Sequence, residues 1–210
     1  LLTSNSPQPS DPGEVALSFH FPGYNASGPF NVTYDFGDNE TGSFFLRDKK
    51  ETNHSYPKQG VYTATVKVCN EISCGNAYVE IIIQDKIHGL QIFSHLTNFI
   101  DECPGDNFRP TKGVFPKEYD VFFNSSITNG TNVTYSWNFS RDNDVCKGMN
   151  CIRKFSSTGN HTICLTAKNN VSSKTVNETI IVHESIRGVK LRNDGPAEMN
   201  TPIKDRKSVV

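Results

Sequence analysis

The 210-residue sequence predicts an all-β protein folded as two consecutive β-sandwiches. Three observations carry that expectation. Apolar and aromatic residues recur at every second position in short runs, the period of a half-buried strand. No segment shows the 3.6-residue period of a long amphipathic helix. The chain also repeats itself imperfectly. Asp85-Lys86-Ile87-His88-Gly89-Leu90 aligns with Glu184-Ser185-Ile186-Arg187-Gly188-Val189, 99 residues further on. At the same offset Gly60–Val68 falls on Gly159–Ala167 and Asn70 on Asn169. Upstream, Val32–Phe36 falls on Tyr135–Phe139 at an offset of 103. The units therefore run from 1 to 84 and from 85 to 183, with 184–210 a linker or the opening of a further repeat.

In the first unit Val15, Leu17, Phe19 and Phe21 alternate with other residues. Val32, Tyr34 and Phe36 form the next run, then Tyr62, Ala64, Val66 and Val68, then Tyr78 and Ile82. The second unit supplies Tyr119, Val121 and Phe123, then Tyr135, Trp137 and Phe139. His161, Ile163, Leu165 and Ala167 follow, and Val176, Ile180 and Val182 close the unit, interrupted by the polar Glu178. Gly, Asn and Pro punctuate the runs, as strand-and-turn architecture requires. Short antiparallel strands of this kind pack as two facing sheets. Trp137, the only tryptophan, sits on a third strand, where a sandwich places a large aromatic in its core; it is read as a packing residue.

Composition narrows the function. Aromatics at 10% supply a core and argue against disorder. Lys plus Arg number 21 against 22 acidic residues, so no basic stripe marks a nucleic-acid surface. The densest basic patches, Lys49-Lys50 and Lys204 with Arg206 and Lys207, are short and read as solvated surface. No apolar run approaches the roughly 20 residues that span a bilayer. The opening Leu1-Leu2-Thr3-Ser4 soon becomes Pro- and Ser-rich and is not a secretory signal. We read the chain as an internal piece of a longer protein.

Eleven Asn-X-Ser/Thr sequons place that protein in the secretory pathway: Asn25, Asn31, Asn39, Asn53, Asn124, Asn129, Asn132, Asn138, Asn160, Asn170 and Asn177. With 21 Asn and 36 Ser plus Thr, random placement would yield about 3.6. The neighbours Asn129 and Asn132 are not both expected to be fully occupied, because glycans are bulky. Six cysteines agree with an oxidising compartment. Cys69 and Cys74 flank a four-residue loop, and so do Cys146 and Cys151; both spacings permit a bridge. Cys103 and Cys164 remain as a third pair. Parity sets Cys164 on an outward face, so Cys164 with Cys146 or Cys151 competes. No CxxC pair or His spacing points to zinc.

Three ordered segments carry a resemblance. Tyr34-Asp35-Phe36-Gly37-Asp38-Asn39, His54-Ser55-Tyr56 and Gly60–Asn70 resemble the PKD domain, whose pattern is W-D-F-G-D-G, then H-x-Y, then G-x-Y-x-V-x-L-x-V-x-N. The second unit matches more loosely, through Tyr135–Arg141, Arg153-Lys154-Phe155 and Gly159–Asn169. There Asn138 replaces the first Asp, Ser140 the Gly and Arg141 the second Asp. The resemblance implies an immunoglobulin-like sandwich for each unit, with Asp35, Phe36, Gly37, Asp38, His54, Tyr56, Gly60, Tyr62, Asn70, Trp137 and Asn169 as structural motif positions. The repeated linkers and sequon density look like ectodomains of the polycystin-1-like family. That implies a non-catalytic extracellular module, binding protein partners or bearing force, in a membrane-anchored parent at the plasma or ciliary membrane. Other proteins with such domains, among them melanosomal glycoproteins and sorting receptors, imply adhesion without load. Microbial hydrolases carry them as carbohydrate-binding accessories.

The motif has a physical reading of its own. Gly37 allows a tight turn after Asp35, while Asp38 and Asn39 bond nearby amides. His54 and Tyr56 pack or bond across that turn. Calcium is the alternative, since Asp35, Asp38 and Glu40 lie close in sequence, but calcium wants six to eight oxygens. Turn chemistry is the expectation, with no metal and no cofactor. No G-x-S-x-G, P-loop, G-x-G-x-x-G or H-E-x-x-H occurs. His54 and Ser55 are adjacent and so face opposite ways on a strand. We expect no enzyme.

Overall fold

A computed structural model describes residues 2–10, 13–19, 30–46, 51–97, 112–140, 145–186, 188 and 190. Among them lie sixteen strands and no helix. The first unit holds β1 (Leu2–Ser4), β2 (Gln8–Pro9), β3 (Glu14–Phe19), β4 (Phe30–Asp35), β5 (Thr41–Leu46), β6 (Glu51–Ser55), β7 (Gly60–Cys69) and β8 (Cys74–Gln84). They form a three-stranded sheet, β1-β3-β6, and a five-stranded sheet, β2-β8-β7-β4-β5. The second unit holds β9 (Gln91–Leu96), β10 (Val114–Pro116), β11 (Asp120–Ser126), β12 (Thr134–Phe139), β13 (Val145–Lys147), β14 (Asn150–Lys154), β15 (Gly159–Lys168) and β16 (Ser173–His183). Its sheets, β9-β11-β14 and β10-β16-β15-β12-β13, repeat the first unit strand for strand. The sequence repeat is thus a repeat of topology.

Alternation builds the two cores. Val15, Leu17, Val32, Phe36, Ala64 and Val66 are buried in the first, with Tyr56, Ile81 and Ile83. Trp137, Phe139, Val121, Phe123, Ile163, Leu165, Ile180 and Val182 fill the second. Trp137 is fully buried, and its indole Nε1 donates to the Gly148 carbonyl at 2.9 Å. One expected face is reversed. Tyr78 stands 75% exposed, while Ile81 and Ile83 go inward. Ile81, Ile82 and Ile83 form an unbroken apolar run, so alternation leaves the parity of β8 open there and burial decides it.

In both five-stranded sheets the first strand pairs parallel with the last: Gln8 with Ile83, and Val114 with Ile181. The last strand of the first unit ends at Gln84, and Ile87 already belongs to the second core. At the repeat position, Ile186 is 88% exposed. Residues 191–210 lie outside the described residues.

Candidate functional site

The motif loop closes one end of the first sandwich. Asp35 ends β4, and its Oδ1 accepts the Gly37 amide at 2.8 Å. Gly37 has φ +80°, and a Cβ there would lie 2.6 Å from the Thr63 carbonyl oxygen, so only glycine fits. Asp38 Oδ1 accepts the Glu40 amide at 3.1 Å, and the Phe36 amide donates to the Glu40 carbonyl at 2.9 Å. From β6, in the opposite sheet, His54 places Nε2 2.6 Å from Asp38 Oδ2. Its ring stacks on Phe36, centroids 3.8 Å apart and planes 5° from parallel. Glu40 Oε2 lies 3.8 Å from His54 Nδ1. The buried Tyr56 hydroxyl donates to the Phe36 carbonyl at 2.9 Å, and the Tyr62 hydroxyl donates to the Lys58 carbonyl at 2.9 Å. The motif is therefore a staple between two sheets.

Its electrostatics follow. Burial acts to raise the Asp38 carboxyl, but the His54 hydrogen bond, the Glu40 amide and the His54 charge outweigh it, and the group sits below the ordinary carboxylate value. Burial pushes the Tyr56 phenol far above its usual range, with Asp38, Tyr62 and Asp35 adding to the shift. Asp35 Oδ1 and both Asp38 oxygens are engaged within the turn and with His54. Among the described residues, no group of three or more His, Cys, Asp or Glu is arranged to hold a metal ion.

The second unit keeps the geometry with other residues. Arg153 takes the place of His54 and lays its guanidinium 5.6 Å from the Phe139 ring centroid. The buried Phe155 replaces Tyr56. His161 replaces Tyr62, with Nε2 2.9 Å from the Ser157 carbonyl. Ser140 replaces Gly37: its amide donates to the Thr162 carbonyl at 2.9 Å, and its Oγ accepts the Thr162 amide at 2.7 Å. Arg141 lies outside the described residues.

The two motif asparagines share one job and differ in another. Asn70 Oδ1 accepts the Ile72 and Ser73 amides at 3.0 and 2.7 Å, folding its hairpin loop. Asn169 Oδ1 accepts the Val171 and Ser172 amides at 3.2 and 2.8 Å. Asn169 Nδ2 also donates to the Asp85 carbonyl at 2.8 Å and the Thr131 carbonyl at 3.0 Å. Around it, Gln84 Oε1 accepts the Asn170 amide at 3.1 Å, and Ser10 Oγ donates to Asp85 Oδ1 at 2.6 Å. The Asp85 amide donates to Thr131 Oγ1, and the Ile87 amide to Ser172 Oγ, each at 2.9 Å. Local sequence patterns do not foretell this clasp at the junction. Only the repeat alignment, which sets Asn169 on Asn70, points toward it.

Among the described residues two bridges form, Cys69–Cys74 and Cys146–Cys151. The first ties the β7–β8 hairpin; the second joins β13 to β14 and so links the two sheets of the second unit. Cys164 carries a free thiol, half-buried on the outer face of β15. The expected Cys103–Cys164 bridge falls on Cys103, which lies outside the described residues. The alternative partners of Cys164 are used by each other. Asn31, Asn53, Asn124, Asn138, Asn160 and Asn177 project from outward faces of strands, while Asn39, Asn129, Asn132 and Asn170 are exposed in turns. Asn25 lies outside the described residues. A shallow groove of about 950 Å³ crosses the outer face of the first five-stranded sheet, lined by Thr33, Asp35, Thr41, Thr65, Lys67 and Tyr78 among others.

Comparison with known proteins places this geometry. The PKD domain matches residues 4–83 and again residues 107–182. Human polycystin-1 is 25% identical over 183 residues, covering 87% of this chain and 4% of polycystin-1 itself. The chain thus spans a small fraction of that relative's length. Among solved structures, the amphioxus IgVJ-C2 molecule superposes with a TM-score of 0.44 at 9% identity, over 81% of this chain and 97% of that one. A two-domain fibronectin type III segment of chicken tenascin does so with a TM-score of 0.39 at 7% identity, over 86% and 97%. With both units matched, over residues 4–83 and 107–182, the chain belongs to the PKD domain family.

Proposed function

We propose that the chain is a non-catalytic extracellular segment of a larger, membrane-anchored and N-glycosylated protein of the polycystin kind, where it carries tension between protein partners. The observation that supports this most is the parallel pairing of β2 with β8 and of β10 with β16, an early strand with the last strand of each unit. Pulling the ends of a unit apart loads that pair along the strands, so its hydrogen bonds share the load rather than opening in turn. In the second unit the Lys117 amide donates to the His183 carbonyl and the Ile181 amide to the Gly113 carbonyl, both at 2.8 Å. The junction clasp then passes force from Gln84 into the next module. Single-molecule pulling of the full chain by its ends is expected to give two discrete unfolding steps. Smooth extension without steps would refute the mechanical role.

A second reading, adhesion to a cell-surface protein without load, is supported by the groove on the first unit. It predicts that Lys67→Glu together with Tyr78→Ala abolishes binding of the chain to cells that otherwise capture it, leaving pulling behaviour unchanged.

A further inference from the structure

The outer faces of the sheets carry large apolar residues that the two cores do not use. Phe45 is 71% exposed, Val145 53%, Phe93 48% and Ile181 38%. Each stands directly opposite a sequon asparagine on the neighbouring strand. Phe45 pairs with Asn31, and Phe93 with Asn124. Val145 pairs with Asn138, and Ile181 with Asn160. The two remaining strand-borne sequons follow the same rule on a smaller scale: Asn53 faces Ala16, and Asn177 faces Cys164. Many other outward positions of these ladders are polar, such as Thr33, Thr65 and Lys67 in the first unit and Thr162, Thr166 and Thr175 in the second, while Val61, opposite Ile82, and Tyr78, opposite Thr65, are exposed with no sequon facing them.

Opposed residues in an antiparallel ladder project from one face with Cβ atoms about 4.5–5.5 Å apart. A sugar joined to the asparagine therefore emerges beside its apolar neighbour. We propose that these neighbours are seats for the protein's own N-glycans, with the innermost N-acetylglucosamine lying over its cross-strand partner, most firmly on Phe45 and Phe93. The inference rests on the glycosylation reading of the sequons. Transfer from a lipid diphosphate donor forms the bond between asparagine Nδ2 and sugar C1. It breaks the C1–O bond to the diphosphate, and it releases one amide proton and the lipid diphosphate. The pyranose then presents a face of C–H groups to the ring. Covering it removes apolar area from water on both partners, and the aromatic ring offers the larger area. The seats account for the exposure of Phe45 and Phe93 on surfaces otherwise rich in threonine; Tyr78, opposite Thr65, lies outside the rule. At Asn124 the sugar would also cover Ile152, 59% exposed, one row away beside Phe122.

The test uses the full chain secreted from eukaryotic cells. Glycopeptide mass spectrometry first reports occupancy at Asn31 and Asn124. Unmodified asparagine at both would defeat the glycosylation reading and the seats with it. With occupancy established, glycans are trimmed to one N-acetylglucosamine, and contacts between sugar protons and the Phe45 ring are sought by NMR. Melting is then compared for Asn31→Gln with Phe45 present and with Phe45→Thr. Loss of the glycan is expected to lower the first module's melting temperature by about 2–4 °C beside Phe45, and by much less in the Phe45→Thr background, where the side chain is smaller. Asn124→Gln with Phe93→Thr repeats the comparison in the second module. Equal losses in both backgrounds, with no sugar–ring contact, would overturn the seats while leaving glycosylation standing.

Discussion

Asp38 shows how one side chain serves two sheets. Its carboxylate caps the turn after β4 and meets His54 from β6 at 2.6 Å. Because its folded pKa lies below the unfolded value, this carboxyl contributes stability above about pH 4 and loses it as pH falls through the folded pKa. Asp38→Asn is therefore expected to flatten the acid dependence of first-module unfolding, read by denaturant titrations stepped through acidic pH. An unchanged slope would mean that other carboxyls set it. The second unit has no counterpart to this pair: it uses Arg153 over Phe139 and an apolar Phe155 instead. The motif's aromatic frame survives the loss of its charges because packing, not ion pairing, supplies most of the burial.

At the scale of elements, hairpins and bridges set register. The β7–β8 hairpin pairs residue by residue from Gly60–Ile83 to Cys69–Cys74, ending at a bridge whose Cα atoms are 4.1 Å apart. Asn70 independently folds the loop between the two cysteines. Replacing both cysteines with serine is expected to cost about 2 kcal/mol, the entropy of so short a closed loop, measured by chemical denaturation of the first module. A cost near zero would assign the hairpin to Asn70 and the ladder alone. The short edge strand β13 is anchored differently, by a bridge to β14 in the other sheet. The first unit's edge strand, β5, instead pairs along all six residues with β4.

Across the whole molecule, hydrogen bonds at the junction tie the first module to the second. Asn169 joins linker, Thr131 and its own loop, so Asn169→Ala removes several bonds at once. The second module is expected to lose about 1–3 kcal/mol. Distances between spin labels placed on the two modules should broaden, while both cores persist. A distance distribution as narrow as that of the unaltered chain would show that the clasp does not govern orientation. Under load, the same change would let the modules swing before either unfolds.

Alternation, the 99-residue repeat and the order of the motif segments made both sandwiches legible from sequence alone. They could do so because strand parity and turn chemistry are local: they depend on neighbours two or three positions away. The outward turn of Tyr78, the free thiol of Cys164 and the clasp around Asn169 were settled only in three dimensions. The isoleucine run before Gln84 carries no parity of its own, and the Asn169–Asp85 bond spans 84 residues. Which cysteines meet, and which outward residue stands beside which sequon, depends on pairing between distant strands. That pairing is chosen by burying both cores at once.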